Sequence, residues 1–142
     1  VRSATVAAID DFSACLVSMP TCDPSTLAAT RADPLLSVNT NRVAEWNAAG
    51  YTVVDRDQFR YVIESIDVAD SLDAATVTVC FADGSKLVEP GAGPGGVDVI
   101  IDGAFASGRE AWDMRLGDDG IWRAHDAPLI GETEDTDTCP VG

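Results

Sequence analysis

The chain has 142 residues, enough for one domain of ordinary size and too few for two. Its 24 acidic side chains against nine basic ones give a net charge of −15, a field that repels nucleic acid and anionic lipid and argues against both as partners. An apolar fraction of 46% excludes a disordered chain, and the apolar runs are too short and too often interrupted by Asp, Arg or Ser for a transmembrane segment.

Taken in chain order, the first element is a helix from a cap at Ser3 to about Val17. Val6, Ile9, Phe12 and Leu16 form its buried stripe. Met19-Pro20 ends it. Asp23-Pro24 places an N-cap before a proline at the first helical position and opens a short helix to about Thr30; Asp33-Pro34 repeats the device. The third helix carries Leu35, Val38, Val43 and Trp46, and Gly50 stops it as a left-handed cap. Beyond Gly50 the period becomes alternating. Phe59–Ala69 reads as a long strand, with Val62, Ile66 and Val68 on one face and Phe59, Tyr61 and Ile63 on the other. Ala74–Phe81 is the next, and Lys86–Val88 extends the pairing after the Ala82-Asp83-Gly84-Ser85 turn. Val97–Ser107 is a further strand broken at Gly103. In Arg109–Leu116, Trp112, Met114 and Leu116 face the core, away from Ala111, Asp113 and Arg115. Gly117-Asp118-Asp119-Gly120 turns the chain into a last strand, Ile121–Ala127. The expected organisation is a single α+β domain, 1–142: three helices over about 3–50 packed on a curved antiparallel sheet over about 52–128, then an acidic tail, 129–142.

Four cysteines, Cys15, Cys22, Cys80 and Cys139, make an even count without a Cys-x-x-Cys pair, and the lone His125 does not complete a zinc site. Disulfides in an oxidising compartment fit best. Of the three connectivities, we expect Cys15–Cys22 across the first helical junction and Cys80–Cys139 tethering the tail, the longer closure contributing about 3 to 5 kcal/mol. A start at Val1, with neither methionine nor a leader, fits removal of a signal peptide or lipoprotein anchor. The expected location is extracellular or the cell envelope.

The organisation resembles the nuclear transport factor 2-like, or SnoaL-like, superfamily, the cone fold shared by ketosteroid isomerases and scytalone dehydratase. The residues that carry the resemblance are the long first helix, Trp46-to-Gly50 leading into strands, and the hairpin Arg109–Glu110–Ala111–Trp112–Asp113–Met114–Arg115 … Gly120–Ile121–Trp122–Arg123–Ala124. It covers almost the whole chain and is similar to exported domains of the actinobacterial type. A cystatin-like sheet wrapped on a helix would show the same pattern. The resemblance implies a pocket between the helices and the concave sheet face, a general base with a tyrosine or other oxyanion donor in catalytic members, and a homodimer through the sheet face.

Chemistry-bearing residues are few. His125 titrates nearest neutrality and is an acid/base candidate. Asp113 and Arg115 share a strand face, a pair similar to that of limonene-epoxide hydrolases, though their face reads as the outer one. Asp10 and Asp11 point about 100° apart on the first helix and cannot share a proton; Asp11 lies beside the apolar stripe. Trp46, Tyr51, Tyr61 and Trp112 are candidates for lining a pocket. Gly91-Ala92-Gly93-Pro94-Gly95-Gly96 lacks the lysine of a phosphate loop, and no calcium loop or nucleophile motif is present, so neither cofactor nor metal is expected. The resulting expectation is a non-catalytic exported domain holding a small apolar ligand or a protein partner; the alternative is a small isomerase, dehydratase or hydrolase using Asp11, Asp113 or His125 as base.

Overall fold

The computed structural model describes residues 1–139; of the expected tail, positions 140–142 lie outside them. The architecture is α+β, helices first and antiparallel strands after. Helix α1 spans Arg2–Ser18 and buries Thr5, Ala8, Ile9, Cys15 and Leu16. The expected cap at Ser3 is not formed. The N-cap lies two residues earlier, at Val1, and the Thr5 amide and hydroxyl both donate to the Val1 carbonyl at 3.0 and 3.1 Å. Asp23 does cap: its carboxylate accepts from the Ser25 amide at 3.0 Å and opens a 3-10 helix over Pro24–Ala29. At the next helix, α2 (Leu35–Ala49), Pro34 holds the cap position and Asp33 accepts from the Ser37 amide instead, at 2.9 Å. Gly50 ends α2 at φ 75°, a conformation that costs glycine nothing. Val38, expected in the apolar stripe, is half-exposed; Asn39 takes the buried place beside Val43. That exchange bears on the site below.

Two sheets follow. The larger has the order β2 (Phe59–Val68), β3 (Ala74–Asp83), β6 (Ala106–Leu116), β7 (Trp122–Asp126), with β8 (Leu129–Glu134) also on β6. Thus β7 and β8 share one edge of β6, one pairing its C-terminal half and the other its N-terminal half. The smaller sheet joins β1 (Thr52–Val54), β4 (Lys86–Glu89) and β5 (Val99–Asp102). Lys86–Val88 therefore does not extend the β2–β3 ladder; after Gly84 it pairs with β1 and β5. The sheet period also slips once. Glu64 is an extra residue between Ile63, opposite Val79, and Ser65, opposite Thr78. A bulge of this kind reverses the facing of everything beyond it, so Ile66 joins Phe59, Tyr61 and Ile63 on the core side rather than Val62.

The core is where α1 lies on the sheet. Ala8 and Ile9 meet Ala75, Val77 and Val79 of β3, Trp112 and Met114 of β6 and Ala124 of β7. Leu116, expected with Trp112 and Met114, lies past the rim and is about a third exposed (37%). A second cluster, Leu16, Met19, Leu27 and Val43 with the Cys15–Cys22 bridge, packs the helices on one another. The described helices include none long and apolar enough to cross a membrane.

Both disulfides, Cys15–Cys22 and Cys80–Cys139, are closed. The second sits on the face of β3 opposite Val79, so the segment after β8 crosses the back of the sheet. There the buried hydroxyl of Ser107 donates to the Thr136 carbonyl at 2.6 Å and accepts from the Thr138 amide at 2.9 Å, and Arg60 pairs with Asp137. Residues 129–139 of the expected tail are a strand followed by a strap, held at Cys139 as expected. Glycine makes room for it: a Cβ on Gly108 would stand 2.2 Å from the Gly131 carbonyl oxygen. Because the closures span 59 and 7 residues, the loop-entropy relation assigns about 4 kcal/mol to Cys80–Cys139 and about 2 kcal/mol to Cys15–Cys22. Denaturant unfolding of the paired Cys→Ser variants is expected to show that order of losses; equal losses would mean that the strap is held by its hydrogen bonds instead.

Candidate functional site

The alternation that buries Val79, Trp112 and Met114 carries polar residues to the same side of the sheet. Asp83 lies two residues beyond Phe81 on β3, and Glu110 two before Trp112 on β6. These strands form one wall of a cavity of about 250 Å³ whose opposite wall is Ile9, Phe12 and Leu16 of α1 and Trp46 of α2. Arg31, Arg56 and Phe59 complete it. A more open cavity of about 400 Å³ shares Leu16, Trp46, Arg56, Phe81 and Asp83 and adds Arg42, Lys86, Glu132 and Glu134.

Arg31 is the least expected of these residues. The strand-like segment around it is pinned to the free edge of β7: Ala32 donates to the Ala124 carbonyl at 2.9 Å, and Ala124 donates to that of Thr30 at 3.0 Å. This places the Arg31 side chain inward, 2% exposed. Its Nε donates to Asn39 Oδ1 at 2.8 Å, the contact that Asn39 gains by lying inward where Val38 was expected. Nη1 reaches the Thr30 hydroxyl at 3.3 Å, and that hydroxyl donates to Asp11 at 2.9 Å. The guanidinium carbon stands 5.1 Å from the Phe12 ring centroid and 6.0 Å from that of Trp112, an attraction of about 0.5–2 kcal/mol per ring face. Burial lowers its pKa to about 10, against the opposing charges of Asp11 and Glu110, so it is cationic at neutral pH.

Arg56 is the better compensated cation. It donates to Asp83 at 3.2 Å, to Ser85 at 3.3 Å and to Ser13 at 2.8 Å, and it lies 3.8 Å over the Phe59 ring. Its buried Nε has no hydrogen-bond partner among the described residues. Burial lowers its pKa and the Asp83 charge opposes the shift. Glu110 faces Arg31 without touching it and accepts from Trp112 Nε1 at 2.8 Å. Burial pushes its pKa up, the Trp112 bond and Arg31 pull it down, and Glu132 pushes it up again.

Of the residues singled out in the sequence, Trp46 and Trp112 line the inner cavity. Tyr51 and Tyr61 do not. Tyr61 packs in the core beside Phe59 and donates to Asp10 at 3.0 Å; burial first and then Asp10 push its pKa up to about 12. Asp11 reaches the cavity only through Thr30. Asp113 pairs with Arg115 at 2.8 Å on the outer face, and His125 is half-buried on β7, outside either cavity. The outer face also carries the Arg109–Glu64 pair at 2.8 Å. Carrying the β6 alternation one step N-terminal from Trp112 would have found Glu110. Arg31 leaves no such signal, because a bridge to a distant strand decides its direction.

Neither the known protein families nor the curated proteins include a match to this chain. Among solved structures it is similar to the intermembrane space region of chloroplast protein ARC6, with a TM-score of 0.68 at 12% identity over 89% of this chain and 91% of that one. At this identity the likeness is one of fold. Both chains share the helix-then-sheet architecture across nearly their whole lengths.

An acid whose pKa the fold raises loses stability as pH climbs from its ordinary value to its raised one. Glu110→Gln removes the ionisation and keeps an acceptor for Trp112. The variant is expected to melt above the wild type at neutral pH, with the gap closing below the ordinary glutamate range. Thermal melts across that range test it; a gap independent of pH would show that Glu110 carries its charge freely.

Proposed function

We propose that this is an exported, non-catalytic binding domain of the nuclear transport factor 2-like type, holding one small and mainly apolar ligand between its helices and its sheet. The observation that carries the reading is the inner cavity. Ile9, Phe12, Leu16, Trp46, Phe59, Val79, Phe81 and Trp112 surround it, the mix of apolar walls and a few fixed polar groups that suits a small ligand. Export is supported by the two closed disulfides. An enzymatic reading with Asp11, Asp113 or His125 as base draws no support from their positions, since none of the three lines the cavity. A partner docked on the outer sheet face would have to desolvate the Arg109–Glu64 and Arg115–Asp113 pairs, which favours the interior.

Titration with octanol, followed by tryptophan emission and amide NMR, is expected to saturate and to shift signals of Phe12, Trp46 and Trp112. Val79→Phe fills the cavity from its sheet wall and is expected to abolish the response while the circular dichroism spectrum is kept. Native mass spectrometry of protein purified from its source is expected to show a bound small molecule. An unsaturable response, or one untouched by Val79→Phe, would reject the cavity as the binding site.

A further inference from the structure

We infer that the ligand of the inner cavity is an apolar molecule ending in a single carboxylate, and that the carboxylate docks on the Arg31 guanidinium. The inference rests on the cavity being a ligand site. Arg31 is a buried cation that takes part in none of the ion pairs among the described residues. Its Nε and Nη1 are used by Asn39 and Thr30, and Nη2 has no hydrogen-bond partner among the described residues. A buried charge without a paired opposite charge is costly, and an incoming carboxylate relieves that cost while an alcohol relieves little of it. Arg56, the other cation of the cavity, already has Asp83.

A cationic ligand meets the opposite situation. Four of the five aromatic rings of the cavity already meet the protein's own guanidinium groups: Arg31 on Phe12 and Trp112, Arg56 on Phe59, and Arg42 on Trp46 at 5.9 Å, which leaves Phe81 alone to attract it. A polyanion is disfavoured too, since a single open guanidinium nitrogen cannot satisfy it and the net charge of −15 repels it. What remains is one carboxylate carried in by an apolar body that the walls can bury.

Glu110 sets the pH at which this works. The charged groups around it are Arg31 across the cavity, Glu132 of β8, Asp11 behind Thr30, and the Arg56–Asp83 pair further along the wall. As a neutral acid Glu110 donates one hydrogen bond to the ligand; as a carboxylate it repels the ligand and compensates Arg31 in its place. Burial raises its pKa, so the neutral form persists to higher pH than in a free glutamate.

Octanoate, octanol and octylamine, titrated calorimetrically into the full chain at mildly acidic pH, separate the cases. Octanoate is expected to bind at least tenfold more tightly than octanol, and octylamine more weakly than either. Octanoate affinity is expected to fall as pH rises through the ionisation of Glu110, and Glu110→Gln to remove that fall. Arg31→Met is expected to bring octanoate and octanol to equal affinity; the wild-type series and Glu110→Gln decide the matter without it if it does not fold. Octanol binding as tightly as octanoate, or octylamine binding tightest, overturns the carboxylate and leaves the cavity reading standing. Saturation by none of the three overturns both.

Discussion

The burial of Arg31 is the constraint on which the arrangement of helices and sheet depends. A guanidinium removed from water must find partners in fixed places, and its partners here come from separate elements: Phe12 on α1, Asn39 on α2, Thr30 beside it and Trp112 on β6. The β7 edge supplies the backbone bridge that aims it inward. The helices cannot slide over the sheet without breaking one of these contacts, each far more costly to lose inside than at the surface. A well-packed apolar residue would have cost less. Retaining an incompletely compensated cation there is what makes the interior more than packing.

The two sides of the large sheet do different work. On the outer side, Cys80–Cys139, the Ser107 hydrogen bonds and the strap from Thr136 to Cys139 close the chain back onto β3 and β6. On the inner side the contacts are looser: packed around Ile9, Met114 and Ala124, and open around Phe12, Trp46 and Phe81. A sheet stiffened from behind tolerates a void in front, because the frame does not rely on filling that void to stay folded.

How much of this was legible follows from what each element leans on. Elements set by local chemistry read well: the Gly50 stop, the Asp23 cap, the turn at Gly117–Gly120, and the buried alternation of Trp112 and Met114. Elements set by pairing alone did not. All six residues of β8 are exposed, so no apolar period marks it, and β1 is only three residues long. The bulge at Glu64 carries no turn residue, yet it moves Ile66 to the other face. In the site, Trp46 and Trp112 were visible as aromatics, whereas Arg31 and Glu110 were masked by the habit of reading charges as surface. Charged side chains are seldom buried, and the exceptions here are those that the strand alternation and the β7 bridge force inward.

That pattern also bears on the acidity of the chain. Of its nine cations, Arg31, Arg42, Arg56 and Lys86 line the two adjoining cavities, where they meet Asp83, Asp102, Glu110, Glu132 and Glu134; the net charge of the whole chain remains −15. Fields add over distance in water and are screened within about 10 Å, so an approaching molecule meets a negative surface and, inside, an arginine that water no longer shields. A small anion gains nothing from the first and everything from the second. For a ligand of the proposed kind, entry would be governed by the apolar part and retention by the charged part, and the surface charge would act as a filter against anions that lack an apolar body.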